Sequence, residues 1–196
     1  MSKIKLGVSE FLANGFNLKA HLQKFLEINS RQLDQQLDKG LENLAAMHPG
    51  SFEEKDVNDF YEEKVGDAHL IDLASWHLNS ANYIADTLRL QKMFAHGHIL
   101  DFGGGIGTHA LAATFLPEVE HVWFVDLNPK NRQFVSMRAK ELGIEKLISF
   151  HRDLNEINPI KFDTIICLDV LEHLPNPSEQ ICIFKKYLNP EGVALL

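Results

Sequence analysis

The chain has 196 residues, 45% hydrophobic and 23% charged, enough for one α/β domain with a helical attachment. Its formal charge of −8 opposes nucleic-acid binding, which needs a basic surface, and no window reaches the apolar length of a membrane span. The first residues lack the apolar centre of a secretory signal, and Cys167 and Cys182 form no disulfide framework, so a cytoplasmic location is the default.

Residues 1–95 carry helical patterns and almost no strand signal. Leu18, Leu22, Phe25 and Leu26 recur at helical spacing over 18–26. Leu33, Leu37, Leu41, Leu44 and Met47 continue such a stripe until "HPGS" at 48–51. Ser51 and Glu54 have the form of a capping box, and Tyr83, Ile84, Leu88, Met93 and Phe94 mark one more helix over 80–95. The plain expectation is a small helical bundle that buries its own apolar faces. The Leu33–Met47 stripe could instead face a partner subunit, which leaves a homodimer open.

From Gly97 the pattern alternates strand and helix. Strands are expected at Ile99–Phe102, Val122–Asp126, Leu147–His151, Phe162–Leu168 and Val193–Leu196. Between them, Thr108–Leu116 reads as a helix stopped by Pro117. Asn128, Pro129 and Gly143 bracket a second helix. Asn176 and Pro177 open a third, with Ile181, Phe184 and Leu188 on its apolar face and "NPEG" as the turn after it. Such alternation implies a Rossmann-like, mostly parallel α/β sheet with helices on both faces.

The chemistry concentrates at "HILDFGGGIGTHALAA", 98–113, where a strand runs through four glycines into a helix. A dinucleotide fingerprint has the spacing G-x-G-x-x-G. Here Gly103, Gly105 and Gly107 follow G-x-G-x-G, and Thr108 stands where the third fingerprint glycine belongs. Asp101, two residues before the first glycine, would repel a pyrophosphate and attract a cationic ligand. A NAD-dependent oxidoreductase is therefore the weaker reading, although Asp126 would also suit a NAD ribose.

"ILDFGGGIGTHA" resembles motif I of the class I S-adenosylmethionine-dependent methyltransferases, and later motifs follow in order. "FDTIICLDVLEHL", 162–174, resembles motif IV of the ubiquinone/menaquinone-type small-molecule enzymes. The resemblance covers roughly residues 97–196. It implies S-adenosyl-L-methionine as cofactor and S-adenosyl-L-homocysteine as product. It places Asp101, Gly103, Gly104 and Gly105 around the cofactor. Asp126, followed by Leu127, would hold the ribose hydroxyls. Asp153 would meet the adenine amino group with Leu154 beside the ring, and Leu168 and Asp169 would pass beneath the methionine part.

Glu172 and His173 form the family's "EH" pair, and His173 is the candidate base, with a structural histidine as the competing role. His69, Trp76 and His77 are further candidates, since in the family the region before motif I folds over the cleft. The pair in "HGH", His96 and His98, lacks a third ligand nearby, so no metal is expected. Cys167 reads as a small buried residue. Domain expectations are a helical region over 1–95, serving as lid, substrate-binding or interaction element, and a methyltransferase domain over 96–196.

The expected acceptor is a small molecule, such as a quinone, lipid-like or secondary-metabolite hydroxyl, with O-, N- and C-methylation all open. The alternative is a non-catalytic relative that binds cofactor or a partner. The family sheet has strand order 3-2-1-4-5-7-6, whereas this sequence stops within its fifth strand. A C-terminally truncated sheet lacking its last two strands is therefore expected, with strand five as an open edge for a second copy.

Overall fold

The computed structural model describes residues 6–40, 59–157 and 160–196. Leu41, Leu44, Met47, "HPGS" and the Ser51–Glu54 pair lie outside these. Three helices come first: α1 (Val8–Asn14), α2 (Leu18–Leu26) and α3 (Ser30–Leu37). The start of α3 is a reciprocal cap, in which Asn29 accepts from the Gln32 N–H at 3.0 Å and Gln32 accepts from the Asn29 N–H at 2.9 Å. A π-helical turn, Phe60–Lys64, leads into α4 (Gly66–Asn79), and α5 (Ala81–Phe94) follows.

The alternating part is β1 (Gly97–Phe102), α6 (Thr108–Ala113), β2 (Val119–Val125), α7 (Pro129–Leu142), β3 (Ile148–His151), β4 (Phe162–Ile166), α8 (Pro177–Tyr187) and β5 (Leu188–Leu195). All four strand pairings are parallel, and the order is β3-β2-β1-β4-β5. The α7 boundaries follow from local chemistry. The Asn128 side chain accepts from the Lys130 N–H, Pro129 needs no donor in the first turn, and Gly143 closes the helix at φ +69°.

Some boundaries differ from expectation. The helix opening at Thr108 ends at Ala113 rather than running to Leu116, and β4 ends at Ile166, leaving Cys167 and Leu168 beyond it. Leu188 is the first residue of β5, not part of the α8 face, and "NPEG" lies inside a strand whose register shifts between Phe162 and Thr164. The ladder with β4 passes from Leu188 directly to Val193, so residues 189–192 bulge out of it and keep their turn character within β5. On α8 only Phe184 is buried, and Ile181 is exposed. On α5, Ile84 and Leu88 are buried while Tyr83, Met93 and Phe94 are exposed.

The first three helices do not form a self-contained bundle. Leu18, Leu22, Leu33 and Leu37 share a cluster with Leu70 of α4, Ile106 of the glycine loop and Phe134 of α7. Phe11, Phe16, Ile84 and Leu88 join Ile99, Val122 and Ile166 of the sheet in another. Apolar area on a short helix is removed from water most effectively by the nearest broad apolar surface, which here is the sheet with its helices. Among the described residues no helix is long and apolar enough to cross a membrane.

Candidate active site at the carboxyl ends of β1, β2 and β4

The sheet reverses its winding between β1 and β4, and ligands of open α/β sheets lie at such a switch point, beyond the strand carboxyl ends. Residues 103–107 turn there. Gly103, Gly105 and Gly107 have φ of +70°, +56° and +76°, a region costly for side chains with a Cβ. Gly104 has ordinary φ but no room, since a Cβ would lie 2.4 Å from the Phe124 ring and 2.7 Å from Asp101 Oδ2.

Asp101 and Asp126 end neighbouring strands behind this loop, and both are buried. Burial, then the charge of Asp126, pushes the Asp101 carboxyl up to about 7, with the Ala110 N–H pulling it back. Its Oδ2 is buried without a hydrogen-bond partner. An orphaned carboxylate oxygen aimed at a glycine turn suits a ligand that brings its own donors or positive charge. Asp126 is better supplied. Its Oδ2 accepts from the Gly105 N–H at 2.8 Å, its Oδ1 from the Asn128 N–H at 2.8 Å, and Asn131 Nδ2 donates to both oxygens at 3.2 and 3.3 Å. Burial still lifts it to about 6 against these donors.

The segment 60–77 lies across three strand ends. Arg152, just after β3, holds Glu62 through two bonds of 2.7 Å and also pairs with Asp153. Asn128 donates to the Gly66 carbonyl at 3.1 Å, and Asn131 Nδ2 lies 3.3 Å from His69 Nδ1. Leu73 Cδ1 lies 3.0 Å from where a Gly105 Cβ would stand, and Thr108 Oγ1 lies 3.1 Å from His77 Nδ1. The positions 66, 69, 73 and 77 recur at helical spacing, so one face of α4 follows the rim of the crevice. Burial holds His69 down at about 4 and His77 at about 3, so both are neutral at physiological pH.

Beyond β4, Val170 packs on the glycine loop, with its Cγ2 2.6 Å from where a Gly103 Cβ would be. Asp169 has φ +56°, a strained conformation for a non-glycine residue, and its carboxylate accepts from the Tyr83 hydroxyl at 2.9 and 3.2 Å. His173 is exposed at the end of a 3-10 turn, Leu171–His173, near enough for its charge to act on His69 and on Asp72 of α4. Burial lifts Asp72 to about 6, partly offset by His173.

The residues singled out from the sequence thus do not all come together. Asp101, Gly103, Gly104, Gly105, Asp126, Leu127, Asp169 and His173, with His69, Trp76 and His77, gather around the crevice. Asp153 and Leu154 stand at its β3 side, where the Asp153 side chain accepts from the Asn155 N–H at 2.8 Å and Leu154 packs on a separate cluster with Ile157 and Phe162. Leu168 packs on the main core, and Cys167 is buried, its thiol pushed up to about 12 by burial and by Asp101. His98 faces Glu120 at 3.3 Å at the start of β1. Sequence reasoning did not single out Asp72, Asn131 or the contact between Tyr83 and Asp169. Asn131 sits five residues after Asp126, within reach by helix geometry, and that spacing could have found it.

Residues 75–196 match the family model described as "Methyltransferase domain", more than half of the chain. The chain is 29% identical over 96 residues to a ubiquinone biosynthesis O-methyltransferase of Photobacterium profundum, covering 48% of this chain and 40% of that one. It is 33% identical over 92 residues to the protein of that name from Xylella fastidiosa, covering 46% and 36%. The chain therefore spans well under half the length of these curated relatives. Among solved structures, the [4+2]-cyclase SpnF superposes with a TM-score of 0.51 at 19% identity, covering 60% of this chain and 44% of that one, a likeness of fold.

Proposed function

The chain belongs to the methyltransferase-domain family, and on that premise we propose that it is an S-adenosylmethionine-dependent methyltransferase acting on a small-molecule acceptor. The observation that carries the reading is the glycine turn backed by two buried carboxylates, one with an unpartnered oxygen. These acceptor oxygens fit a ligand with hydroxyls and positive charge better than a pyrophosphate, which supports the family reading over an oxidoreductase. The names of the two relatives favour a quinone-type hydroxyl as acceptor.

In this reading Asp101 and the backbone of 103–105 take the amino-acid part of S-adenosyl-L-methionine. Asp126 takes the ribose by exchanging the long Asn131 contacts for ribose hydroxyls. Leu127, Asp153 and Leu154 flank the base, and Leu168 and Asp169 line the methionine side. The cofactor supplies a methyl group already activated by a sulfonium. The chain's task is alignment, exclusion of water and, for a hydroxyl acceptor, removal of its proton. His173 is the proposed base, with Asp72 facing it from α4. The helical region acts as a lid, and the position of Leu73 over Gly105 supports that role.

A second reading, binding without methyl transfer, is favoured by the donors that Asp126 already holds. Calorimetry with S-adenosylhomocysteine tests the shared part. Asp126→Ala is expected to weaken binding by about 1.5–3 kcal/mol, the worth of hydrogen bonds to a charged group. Equal affinity in that variant removes the ribose role. Turnover of S-adenosylmethionine with a catechol acceptor separates the two readings.

A pH dependence follows from the carboxyls. A cationic ligand binds the ionised forms, and in the free protein Asp101 ionises at about 7 and Asp126 at about 6. Affinity for S-adenosylmethionine should therefore rise with pH between 5.5 and 8, by up to about tenfold per unit for each proton released. Calorimetry in buffers of different ionisation enthalpy would register the proton release at pH 6.5. A flat profile with no release would mean that these carboxyls do not meet the ligand.

A further inference from the structure

The charges of Asp72, Asp126 and Glu172 all act on Tyr61, that of Asp126 on its neighbour Asp101 and that of Glu172 on Asp169, and the donor that meets the Asp169 carboxylate is a neutral one, the Tyr83 hydroxyl. Tyr83 belongs to α5, on the helical side, whereas Asp169 follows β4 on the opposite wall, so this pair of bonds crosses the mouth of the crevice. The Asp169 backbone is in the left-handed region, which is costly unless contacts over-determine it. The Tyr83 ring is itself placed by Trp76, edge-on at 5.7 Å. Tyr83 remains 45% exposed, so its hydroxyl can leave without unpacking the core.

A phenol is a weaker partner for a carboxylate than a cation in the same place, because the charged pair adds Coulomb attraction to the hydrogen bond. Asp169 is exposed, and the like charge of nearby Glu172 raises its preference for a positive partner. We infer that Tyr83 is a positioning residue that holds Asp169 in the free protein and surrenders it to the ammonium group of the cofactor's amino-acid end. The inference rests on the cofactor reading above and adds to it an exchange of partners at one carboxylate.

The test uses the full chain with 3-fluorotyrosine at its three tyrosine positions, the Tyr83 resonance being assigned by its loss in Tyr83→Phe. S-adenosylhomocysteine, which carries the ammonium, is expected to move that resonance and bring its titration back toward the ordinary phenol range. Adenosine, which lacks the amino-acid end, should bind without moving it. Calorimetry should show Tyr83→Phe binding S-adenosylhomocysteine about 3–10-fold more tightly, since no bond must be surrendered, and binding adenosine as before. A Tyr83 resonance unmoved by bound S-adenosylhomocysteine, or weaker binding by Tyr83→Phe, overturns the exchange while leaving the cofactor reading intact. Failure of S-adenosylhomocysteine and adenosine alike to bind the unaltered chain overturns both.

Discussion

Replacing Arg138 with alanine should lower the free energy of unfolding by about 3–5 kcal/mol, a large part of the stability of a small domain. The guanidinium lies on α7 and is fully buried. It donates from Nη1 to the Ile106 carbonyl at 2.7 Å, from Nη2 to the Gly15 and Phe16 carbonyls at 3.3 and 3.1 Å, and from Nε to His21 Nδ1 at 3.2 Å. His21 in turn lies 3.1 Å from Glu141, which also pairs with Lys24. Burial lowers Arg138 to about 9, still charged at neutral pH, and the ring of Phe134 lies 5.5 Å away.

Removal strands three buried carbonyls and leaves a void beside Phe134, each a recognised source of large losses. Arg138→Lys keeps the charge but not the fork that reaches from the glycine loop to the turn between α1 and α2, and should fall between the two. Urea unfolding followed by circular dichroism measures it. A loss under about 1 kcal/mol for the alanine variant would show that the surrounding backbone finds other partners.

The largest effect on ligand binding is expected at Gly104. A methyl group there would meet the Phe124 ring at 2.4 Å and Asp101 Oδ2 at 2.7 Å, and Phe124 is fully buried, with no space to retreat. The loop must move away from β2, carrying with it the Gly105 N–H that Asp126 holds. Gly104→Ala should cost about 3 kcal/mol in S-adenosylhomocysteine affinity, roughly 100-fold in Kd. Gly143→Ala is the contrasting control, because its φ of +69° makes a side chain costly where Gly104 has ordinary φ, yet nothing lies within 4 Å of the added methyl. Its penalty should be about 1–2 kcal/mol in stability, with affinity unchanged. Equal affinities for the two variants would place the ligand away from this loop.

What could be read in advance was what neighbouring residues decide among themselves. Asn128, Pro129 and Gly143 bracket α7 through their own side chains and backbone, and α2 spans the limits its apolar spacing marks. The strand–glycine–helix unit and its two flanking carboxylates were legible for the same reason. "NPEG" was legible as a break, since pairing with β4 resumes at Val193, but the start of β5 at Leu188 before it was not. Tyr83, Met93 and Phe94 misled because periodicity identifies a helix without saying how wide its buried stripe is. Arg138 reads as a surface charge in a polar helix until Gly15 and Phe16, far earlier in the chain, come to rest against it. The donors on Asp126 are likewise tertiary facts. Conformation was local here, and polar partnership was not.

The strand order has a consequence for the moment at which the site comes into being. β1 lies at the centre, with Ile99 opposite Val122 on one side and opposite Thr164 on the other. As the chain leaves the ribosome, β1, β2 and β3 can zip together in succession, each beside a neighbour just made. The remaining wall must wait for β4, whose pairing with β1 closes a much longer loop and is slower to form, and β5 then adds to β4. A nascent chain halted before β4 would hold the glycine turn and both buried aspartates yet have no crevice. The site is thus completed only once β4 has joined β1, which makes it a late product of folding.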